Sequence, residues 1–324
     1  MGPSGKPRLG MNALVAGRRA GPYCPMARLR LVFALMACAA AGAHAFSPEE
    51  SIQFQLEAMR AAVLPQIQAA KAAADAEITP ARARELIKAK LAGSGVPDSY
   101  VDRVFDDPRA KLFPEIPGYF GGAHGPVTPV TYEQYRKQFI TERNIAGGAQ
   151  FVRDHRDLLD AVSARYTVDG TLLTALVAIE TRYGTAVGKY PVFDALNTII
   201  QGVPRRSAWA VNEDAEFLKM TYTQGMDAHA VVGSYAGAFG YVQFEPSTYN
   251  TTAVDFDGDG QRRLDQWPDA LGSCANYLSR AGYNASAPFT PESAIGRSLF
   301  SYNHDNNYAR VILELRGEIL KRLP

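Results

Sequence analysis

The clearest pattern in the chain is a run of apolar and small residues, LLTALVAI at positions 172–179, followed directly by Glu180. Because apolar residues occupy nearly every face of this segment, it predicts a buried helix. Asp169 stands at the capping position before the helix, and Gly184 supplies a stop signal after it. The same periodicity predicts a series of helices at 132–141, 147–165, 169–183, 193–201, 207–224, 268–281, 290–302 and 307–323.

Other parts of the chain have different patterns. Residues 48–92 indicate two helices, the second of them started by Thr79-Pro80. Five prolines within 105–130 indicate a loop. After residue 225 glycines cluster and the periodicity breaks, which predicts a loop-rich lobe at 225–269 with room for short strands. We therefore expect a mainly α (α+β) protein with a helical N-terminal region at 46–112 and a larger domain at 113–324 that contains the lobe.

The N-terminal residues 26–45 have the layout of a secretory signal peptide, with two arginines, an apolar stretch and a small-x-small cleavage site at Ala43-His-Ala45. The apolar stretch is shorter than the about 20 residues that a transmembrane helix needs. We interpret residues 1–25 as a non-functional extension ahead of a translation start at Met26. These features predict a periplasmic protein. As an alternative, Leu35-Met-Ala-Cys38 forms a lipobox, which would make the product an outer-membrane lipoprotein anchored through Cys38.

Removal of residues 1–45 changes the charge and the cysteine content. It takes away six basic residues and no acidic ones, which leaves 28 basic and 33 acidic residues and a net charge of −5. No basic patch then remains to indicate a nucleic-acid partner. Cys274 becomes the single cysteine, so no intrachain disulfide can form. Its apolar neighbours predict a buried structural thiol.

Five motifs occur in a fixed order, and together they carry a resemblance. They are ETRYG at 180–184, GSYAGAFGYVQFEPSTY at 233–249, VDFDGDG at 254–260, DALGSCANYL at 269–278 and SYNH at 301–304. This set resembles the membrane-bound lytic murein transglycosylase B family over residues 113–315. The resemblance implies a lysozyme-like core. It also implies an enzyme that cleaves the β-1,4 bond between N-acetylmuramic acid and N-acetylglucosamine in peptidoglycan without water, which leaves 1,6-anhydromuramic acid ends.

Glu180 is the candidate catalytic residue. A carboxyl group at the end of an apolar helix is desolvated, and desolvation raises its pKa toward the working pH of a general acid. The alternative is a carboxylate paired with Arg182 or another cation. Most glycosidases use two carboxylates, and here the nearest further candidates are Asp194 and Glu245. The resemblance implies that Glu180 acts as acid and then as base, while the substrate's N-acetyl oxygen replaces the second carboxylate.

The resemblance also implies a set of substrate-binding side chains. Amide and hydroxyl groups would hold the N-acetyl group and the sugar, tyrosines would form the wall, and two arginines would bind the lactyl carboxylate or the stem peptide. These residues are Gln243, Ser234, Tyr135, Tyr277, Tyr302, Asn303, Arg205 and Arg206. Ordinary core packing is the alternative for each tyrosine, and a solvated charge pair is the alternative for the arginines. Glu245 departs from the family pattern, because many relatives carry an apolar residue there.

The acidic loop is a candidate metal site. Carboxylates at positions 1, 3 and 5 with glycine at position 6 match the start of an EF-hand, but position 12 is Gln266, a poor ligand. The resemblance implies a longer loop that ends on an acidic residue at position 15 and holds a structural calcium ion. The implied ligands are Asp255, Asp257, Asp259, the Gln261 carbonyl and Asp269. A solvated Asp-Gly turn is the alternative, and the chemistry itself needs no cofactor.

Two other functions are compatible with the same residues. A hydrolytic muramidase would use water in place of the C6 hydroxyl, and a non-catalytic module would bind peptidoglycan without turnover. We expect the protein to be a monomer whose partner is the glycan strand, with proteins of cell-wall synthesis or division as further partners.

Overall fold

The computed structural model describes residues 48–74, 78–120 and 131–324. Contacts divide the chain into two compact units, Met1–Gln68 and Ala69–Pro324. The predicted signal peptide and the extension before it lie outside the described residues. Helix α1 (Pro48–Ala74) contains the described residues of the first unit, which are 48–68. None of the helices in the described ranges combines the length and the hydropathy that a membrane span requires.

The second unit is mainly helical, as the periodicity predicts. A helix that is apolar on all sides belongs in a protein interior, and α8, which carries the LLTALVAI run, is buried along nearly its whole length. It packs against α6 and α14, while α9 packs along α10, which also contacts α2. The helices are α2 (Pro80–Leu91), α3 (Asp98–Phe105), α4 (Ile116–Tyr119), α5 (Tyr132–Phe139), α6 (Glu142–Asp154), α7 (Arg156–Tyr166), α8 (Gly170–Thr181), α9 (Val192–Gly202), α10 (Pro204–Thr223), α11 (Pro246–Thr252), α12 (Trp267–Arg280), α13 (Ala294–Tyr302) and α14 (Asn306–Leu320).

The prediction of one helix over 147–165 was wrong. Two helices, α6 and α7, cover this stretch and meet at His155, whose φ of −117° is not helical. The His155 ring lies 4.3 Å from the Phe151 ring and 5.6 Å from the Trp267 ring, measured between centroids. Trp267 begins α12, more than a hundred residues later in the chain. The break therefore coincides with a tertiary aromatic contact that helical periodicity does not report.

A two-stranded antiparallel sheet joins the loop-rich lobe to the segment that precedes α9. Strand β1 (Tyr190–Pro191) pairs with β2 (Val232–Gly233), and isolated bridges join Gly233 to Phe239 and Phe239 to Phe244. Gly188 allows this pairing, because its φ is +101° and a Cβ there would lie 1.9 Å from the Gly233 carbonyl oxygen. The close approach fixes the loop after α8 against the segment that begins the GSYAGAF motif.

Candidate active site

Helix α8 is fixed at both ends, and these ends place Glu180. At the start, the Asp169 carboxylate accepts a hydrogen bond of 2.7 Å from the Leu172 amide, which confirms the predicted cap. The same carboxylate receives two hydrogen bonds of 2.9 Å from the Arg316 guanidinium on α14. At the end, the Thr181 hydroxyl donates to the Tyr241 carbonyl over 2.8 Å. Glu180 therefore sits beside the 240–244 turn in the last turn of an anchored helix.

The chain leaves α8 through three consecutive residues in the left-handed region. Arg182, Tyr183 and Gly184 have φ values of 49°, 58° and 79°. Two of them carry side chains, so this turn is held by its surroundings rather than by local preference. The Tyr183 hydroxyl donates to the Asn144 carbonyl on α6, which ties the turn to the helical body. Arg182 ends on the exposed surface.

The Glu180 carboxyl group is desolvated and, within the described residues, accepts one side-chain hydrogen bond. The residue borders a cavity and is half-buried, but protein atoms surround its carboxyl group. Burial raises the pKa of Glu180 to about 7, and the hydroxyl of Tyr308, which donates to its Oε1, acts in the opposite direction. Among the described residues no ion pair involves Glu180, so the predicted alternative of a pairing with Arg182 is wrong.

Gln243 occupies a tight turn that faces the same cavity. Phe239 and Phe244 exchange backbone hydrogen bonds of 3.0 and 3.1 Å, and the four residues between them form the turn. Gln243 has a φ of 51°, a value that is costly for a residue with a side chain. Its Nε2 donates to the Gly240 carbonyl at 2.9 Å and to the Val187 carbonyl at 3.2 Å. These bonds fix the amide and leave Oε1 as its remaining polar atom.

The cavity beside Glu180 has a volume of about 610 Å³. Six of the predicted catalytic and substrate-binding residues border it, although they come from four separate segments of the chain. Ser234 belongs to a turn in which its hydroxyl accepts hydrogen bonds from two backbone amides. The six residues are Glu180, Ser234, Gln243, Tyr277, Tyr302 and Asn303.

The tyrosines of the cavity wall have their hydroxyls occupied. The Tyr277 hydroxyl donates to the Ser301 carbonyl at 2.6 Å, and the Tyr302 hydroxyl donates to the Val242 carbonyl at 2.5 Å. Their rings pack edge to face with centroids 4.9 Å apart. Because the hydroxyls are bound to backbone, these residues offer the cavity their aromatic surfaces rather than free hydroxyl donors.

Three predicted binding residues do not border the cavity. Tyr135 donates a hydrogen bond of 2.9 Å to Asp305, and burial raises the pKa of Tyr135 to about 12, with a smaller contribution from the Glu180 charge. Arg205 and Arg206 are exposed on the first turn of α10. The Arg206 guanidinium lies 5.7 Å from the centroid of the Phe120 ring. The structure thus places these side chains outside the cavity wall itself.

Glu245 and Asp194, the two further carboxylates considered from the sequence, have different locations. Glu245 borders the cavity. Burial raises the pKa of Glu245, the Glu213 carboxylate raises it further, and Arg206 and a hydrogen bond from Trp209 lower it. Asp194 is 1% exposed and accepts a hydrogen bond from the Lys111 amide, away from the cavity. Of the two, only Glu245 is available to a ligand in the cavity.

The acidic loop forms the other cluster of candidate functional groups. Oxygen atoms of Asp255, Asp257 and Asp269 lie within 4.8 Å of one another, and within the described residues this is the one such group of potential metal ligands. Asp269 is buried and accepts backbone hydrogen bonds from Phe256 and Arg263 at 2.7 and 2.6 Å. Burial raises the pKa of Asp269, as do the charges of Asp257 and Asp255. Three converging carboxylates are a hard oxygen set that fits calcium.

The predicted metal ligands do not all belong to this group. Asp259 lies outside it, and its Oδ1 accepts a hydrogen bond of 2.7 Å from the Gln261 amide. Asp255 accepts backbone hydrogen bonds from the glycines of the loop, at 2.7 Å from Gly258 and 2.9 Å from Gly260. The loop is therefore folded around its first carboxylate, with the distant Asp269 brought to it by α12.

Comparisons with known proteins show the family of the chain. Residues 79–311 match the family model described as a transglycosylase SLT domain, which is well over half of the chain. The chain belongs to this family. The matched region contains Glu180 and the GSYAGAF segment, and it also contains the residues that border the cavity and those of the acidic loop.

Individual proteins with similar sequences or structures are lytic transglycosylases. Membrane-bound lytic murein transglycosylase B of Escherichia coli (strain K12) is 39% identical over 150 residues. This match covers 46% of the chain and 42% of the relative, so the chain spans less than half of the length of that protein. The lytic transglycosylase Slt35 of Escherichia coli, solved in complex with bulgecin A, has a TM-score of 0.65 and 26% identity over 74% of this chain and 93% of its own.

A second solved structure, the soluble lytic transglycosylase SltB1 of Pseudomonas aeruginosa, has a TM-score of 0.66 and 25% identity. The structural match covers 74% of this chain and 99% of that protein. Slt35 has also been solved in complex with calcium. These matches confirm the predicted family and the predicted mainly α, lysozyme-like fold of the SLT domain.

Sequence reasoning missed several residues that border the cavity and one, Tyr308, that contacts Glu180. Tyr308, the hydrogen-bond donor to Glu180, stands four residues after the SYNH motif and 128 residues after Glu180 in the chain. The motifs did include Tyr235, Thr248 and His304, which border the cavity, but no role was predicted for them. Their position within motifs was the available signal. For Tyr308 the signal was weaker, since a tyrosine at a helix start is ordinary.

Proposed function

We propose that this protein is a lytic transglycosylase that cleaves peptidoglycan glycan strands without water. The observation that carries the proposal is the Glu180 carboxyl group, which borders the cavity, has its pKa raised by burial to about 7 and accepts a hydrogen bond from the Tyr308 hydroxyl. A group with this pKa is protonated in part of the population at neutral pH and can both donate and accept a proton. The family match and the lytic transglycosylase relatives support the same reaction.

In the first step the Glu180 carboxyl proton passes to the glycosidic oxygen. The N-acetyl carbonyl oxygen of the muramic acid attacks the anomeric carbon as the bond to the leaving sugar breaks. Glu180 is now a carboxylate, and the Tyr308 hydroxyl stabilises its charge by donating to Oε1. Burial raises the pKa of Tyr308 well above its ordinary value, so the hydroxyl keeps its proton at the pH values at which Glu180 titrates.

In the second step the C6 hydroxyl of the same sugar attacks the anomeric carbon and displaces the N-acetyl oxygen. Its proton passes to the Glu180 carboxylate, which restores the acid for the next cycle. The product carries a 1,6-anhydro ring, and no water is consumed. One carboxyl group is sufficient for both steps because the substrate supplies the nucleophile.

The other cavity residues hold the substrate. Gln243 offers Oε1 to the N–H of an acetamido group, because its Nε2 is already bonded to two backbone carbonyls. The Tyr277 and Tyr302 rings contact the C–H faces of the sugars. Ser234 and Asn303 supply further polar contacts at the wall. Tyr135 orients Asp305 near the acid, and Arg205 and Arg206 meet the lactyl or stem-peptide carboxylates outside the cavity.

A hydrolytic muramidase is the second candidate, and Glu245 is the observation that favours it. This carboxylate borders the cavity and burial raises its pKa, so it is a second titratable group with access to the substrate. Hydrolysis requires such a group to activate water. The chemical nature of the product's reducing end separates the two reactions.

Mass spectrometry of purified sacculi digested by the protein tests the proposal, with Glu180→Gln in parallel. We expect anhydromuropeptides from the wild type and none from the variant. Reducing muropeptides would establish the hydrolase instead, and Glu245→Gln would then be expected to abolish them. Binding to sacculi without release of fragments would support the non-catalytic module.

We further propose that the acidic loop binds calcium in a structural role through Asp255, Asp257 and Asp269, with Asp259 and the Gln261 carbonyl completing the loop. The converging carboxylates and the calcium complex of Slt35 support this assignment. The ion would join the loop to α12 and takes no part in the proton transfers.

We also propose export to the periplasm, since the substrate lies outside the cytoplasmic membrane. Cell fractionation tests this, and Cys38→Ala separates the two forms of export. A lipoprotein would leave the membrane fraction when Cys38 is replaced, whereas a signal-peptidase product would be unaffected.

A further inference from the structure

Two exposed tyrosines lie together at the rim of the cavity. Within residues 78–120 and 131–324, large apolar side chains with substantial exposure are few, and they are Leu112, Tyr119, Tyr222, Val232, Tyr235 and Leu320. Two of these six, Tyr119 and Tyr235, are in ring contact, with centroids 4.9 Å apart. They are 50% and 39% exposed. Adjacent exposed rings mark a surface that is used for binding more often than scattered single residues do.

The Tyr119 side chain is held in place although half of it faces solvent. Its hydroxyl lies 3.3 Å from the hydroxyl of the buried Tyr190, which in turn donates to the Glu115 carboxylate at 3.3 Å. On its other side, Tyr235 also contacts the Phe120 ring at 5.5 Å. A ring fixed in this way loses little conformational entropy when a ligand covers it. The pair is therefore a preorganised aromatic surface.

This surface continues the wall of the cavity. Tyr235 borders the cavity directly, and Tyr119 extends the aromatic surface outward from it. A cavity of about 610 Å³ is the size that holds a drug-sized ligand. A glycan strand is a long polymer, so most of it must leave the cavity across the rim. The rim segment built from Tyr235 and Tyr119 presents ring faces suited to the C–H faces of sugars.

We propose that Tyr119 and Tyr235 form an outer sugar-binding platform, on which the glycan strand stacks beyond the sugars held in the cavity. The inference rests on the proposed function, because it assigns the strand's exit to one side of the same site. The platform would make the protein favour long strands over short oligosaccharides. Its ligand is the carbohydrate backbone, rather than the stem peptide.

The test measures equilibrium binding by calorimetry in the Glu180→Gln background, so that it does not depend on turnover. The ligands are long glycan strands freed of stem peptides and a tetrasaccharide of the same repeat. We expect Tyr119→Ala to raise the Kd for long strands about three- to tenfold, the effect of one aromatic contact, and to leave the Kd for the tetrasaccharide unchanged. Tyr119→Phe keeps the ring but loses the hydroxyl contact to Tyr190, so it should raise the Kd for long strands less than Tyr119→Ala does.

Tyr222→Ala is the matched control, because Tyr222 is a tyrosine of similar exposure (41%) that packs against Tyr100 instead. An equal Kd for long strands in Tyr119→Ala and its parent would overturn the platform. A loss that appears with peptide-bearing strands alone would also overturn it, since the surface would then bind the peptide. Failure of the proposed function is seen separately, as the absence of anhydromuropeptides from the wild type.

Discussion

The Tyr308→Phe variant tests the electrostatic account of the acid. In the structure the Tyr308 hydroxyl donates a hydrogen bond to Glu180 Oε1, and this bond stabilises the ionised carboxylate. Phenylalanine keeps the ring and its packing against the Tyr302 ring, 6.4 Å away between centroids. The substitution therefore removes one donor and little else.

The size of the effect follows from the strength of this hydrogen bond. A hydrogen bond to a charged group contributes about 1.5–3 kcal/mol. One pKa unit corresponds to about 1.4 kcal/mol. Loss of the donor disfavours the ionised form, so the pKa of Glu180 should rise from about 7 by roughly one to two units.

The assay is the pH dependence of kcat/KM for release of anhydromuropeptides, which reports the ionisation of the free enzyme. Because the first step needs protonated Glu180, activity falls as pH rises through its pKa, near pH 7 in the wild type. In Tyr308→Phe this falling limb should move to higher pH by the same one to two units. The maximal rate should drop, because the carboxylate formed in the first step loses its stabilising donor.

Tyr249→Phe is the control for loss of a buried tyrosine hydroxyl. Tyr249 is 1% exposed and donates to the Arg262 carbonyl, outside the cavity that Glu180 borders. The falling limb of the pH profile of Tyr249→Phe should lie at the same pH as that of the wild type. A limb in Tyr308→Phe that is unmoved, or that moves to lower pH, would refute the assignment of Tyr308 as the group that stabilises the Glu180 carboxylate.

Three further predictions concern stability. The folded state raises the pKa of Glu180 from an unfolded value of 4.5 to about 7, so ionisation of this carboxyl group costs stability as the pH rises between these two values. Glu180→Gln should therefore unfold like the wild type at pH 4 and be more stable than the wild type by about 3 kcal/mol at pH 8, as measured by thermal melts at both pH values. Calcium at a hundred times its Kd should stabilise the protein by about 2.7 kcal/mol relative to the protein in chelator. This gain should disappear in Asp269→Asn and persist in Asp265→Asn. A wild-type melting temperature that is the same with calcium and with chelator would refute calcium binding by the loop. Asp169→Ala loses both the α8 cap and the Arg316 ion pair, and it should lower the free energy of unfolding by about 2–4 kcal/mol in denaturant titrations. Asp169→Asn keeps a capping oxygen and should lower it clearly less. Equal losses of stability in the two variants would mean that the ion pair, rather than the cap, provides most of the stabilisation.

Some residues that border the cavity could be predicted from sequence motifs, and others could not. Glu180, Gln243 and Tyr302 lie in motifs whose order indicated the family, and all three border one cavity. Tyr308 was not predicted, because the chain separates it from Glu180 by 128 residues and nothing near it in sequence marks a polar role. The two tyrosines at the rim were missed for the same reason, since their contact joins residues 119 and 235.

The sequence by itself determined the elements whose cause is local. The LLTALVAI run made α8 a buried helix, Asp169 capped it, and Cys274 among apolar neighbours became a fully buried thiol. These features depend on residues within about one or two helical turns, so periodicity and capping rules report them.

Only the tertiary structure decided which groups meet and how far each is desolvated. The break at His155 coincides with its contact to Trp267, and the strained φ of Gln243 is held by bonds to Val187 and Gly240. Burial raises the pKa of Glu180, and the hydrogen bond from Tyr308 acts against this rise. Desolvation and hydrogen bonding act through space, and the order of residues along the chain does not encode those distances.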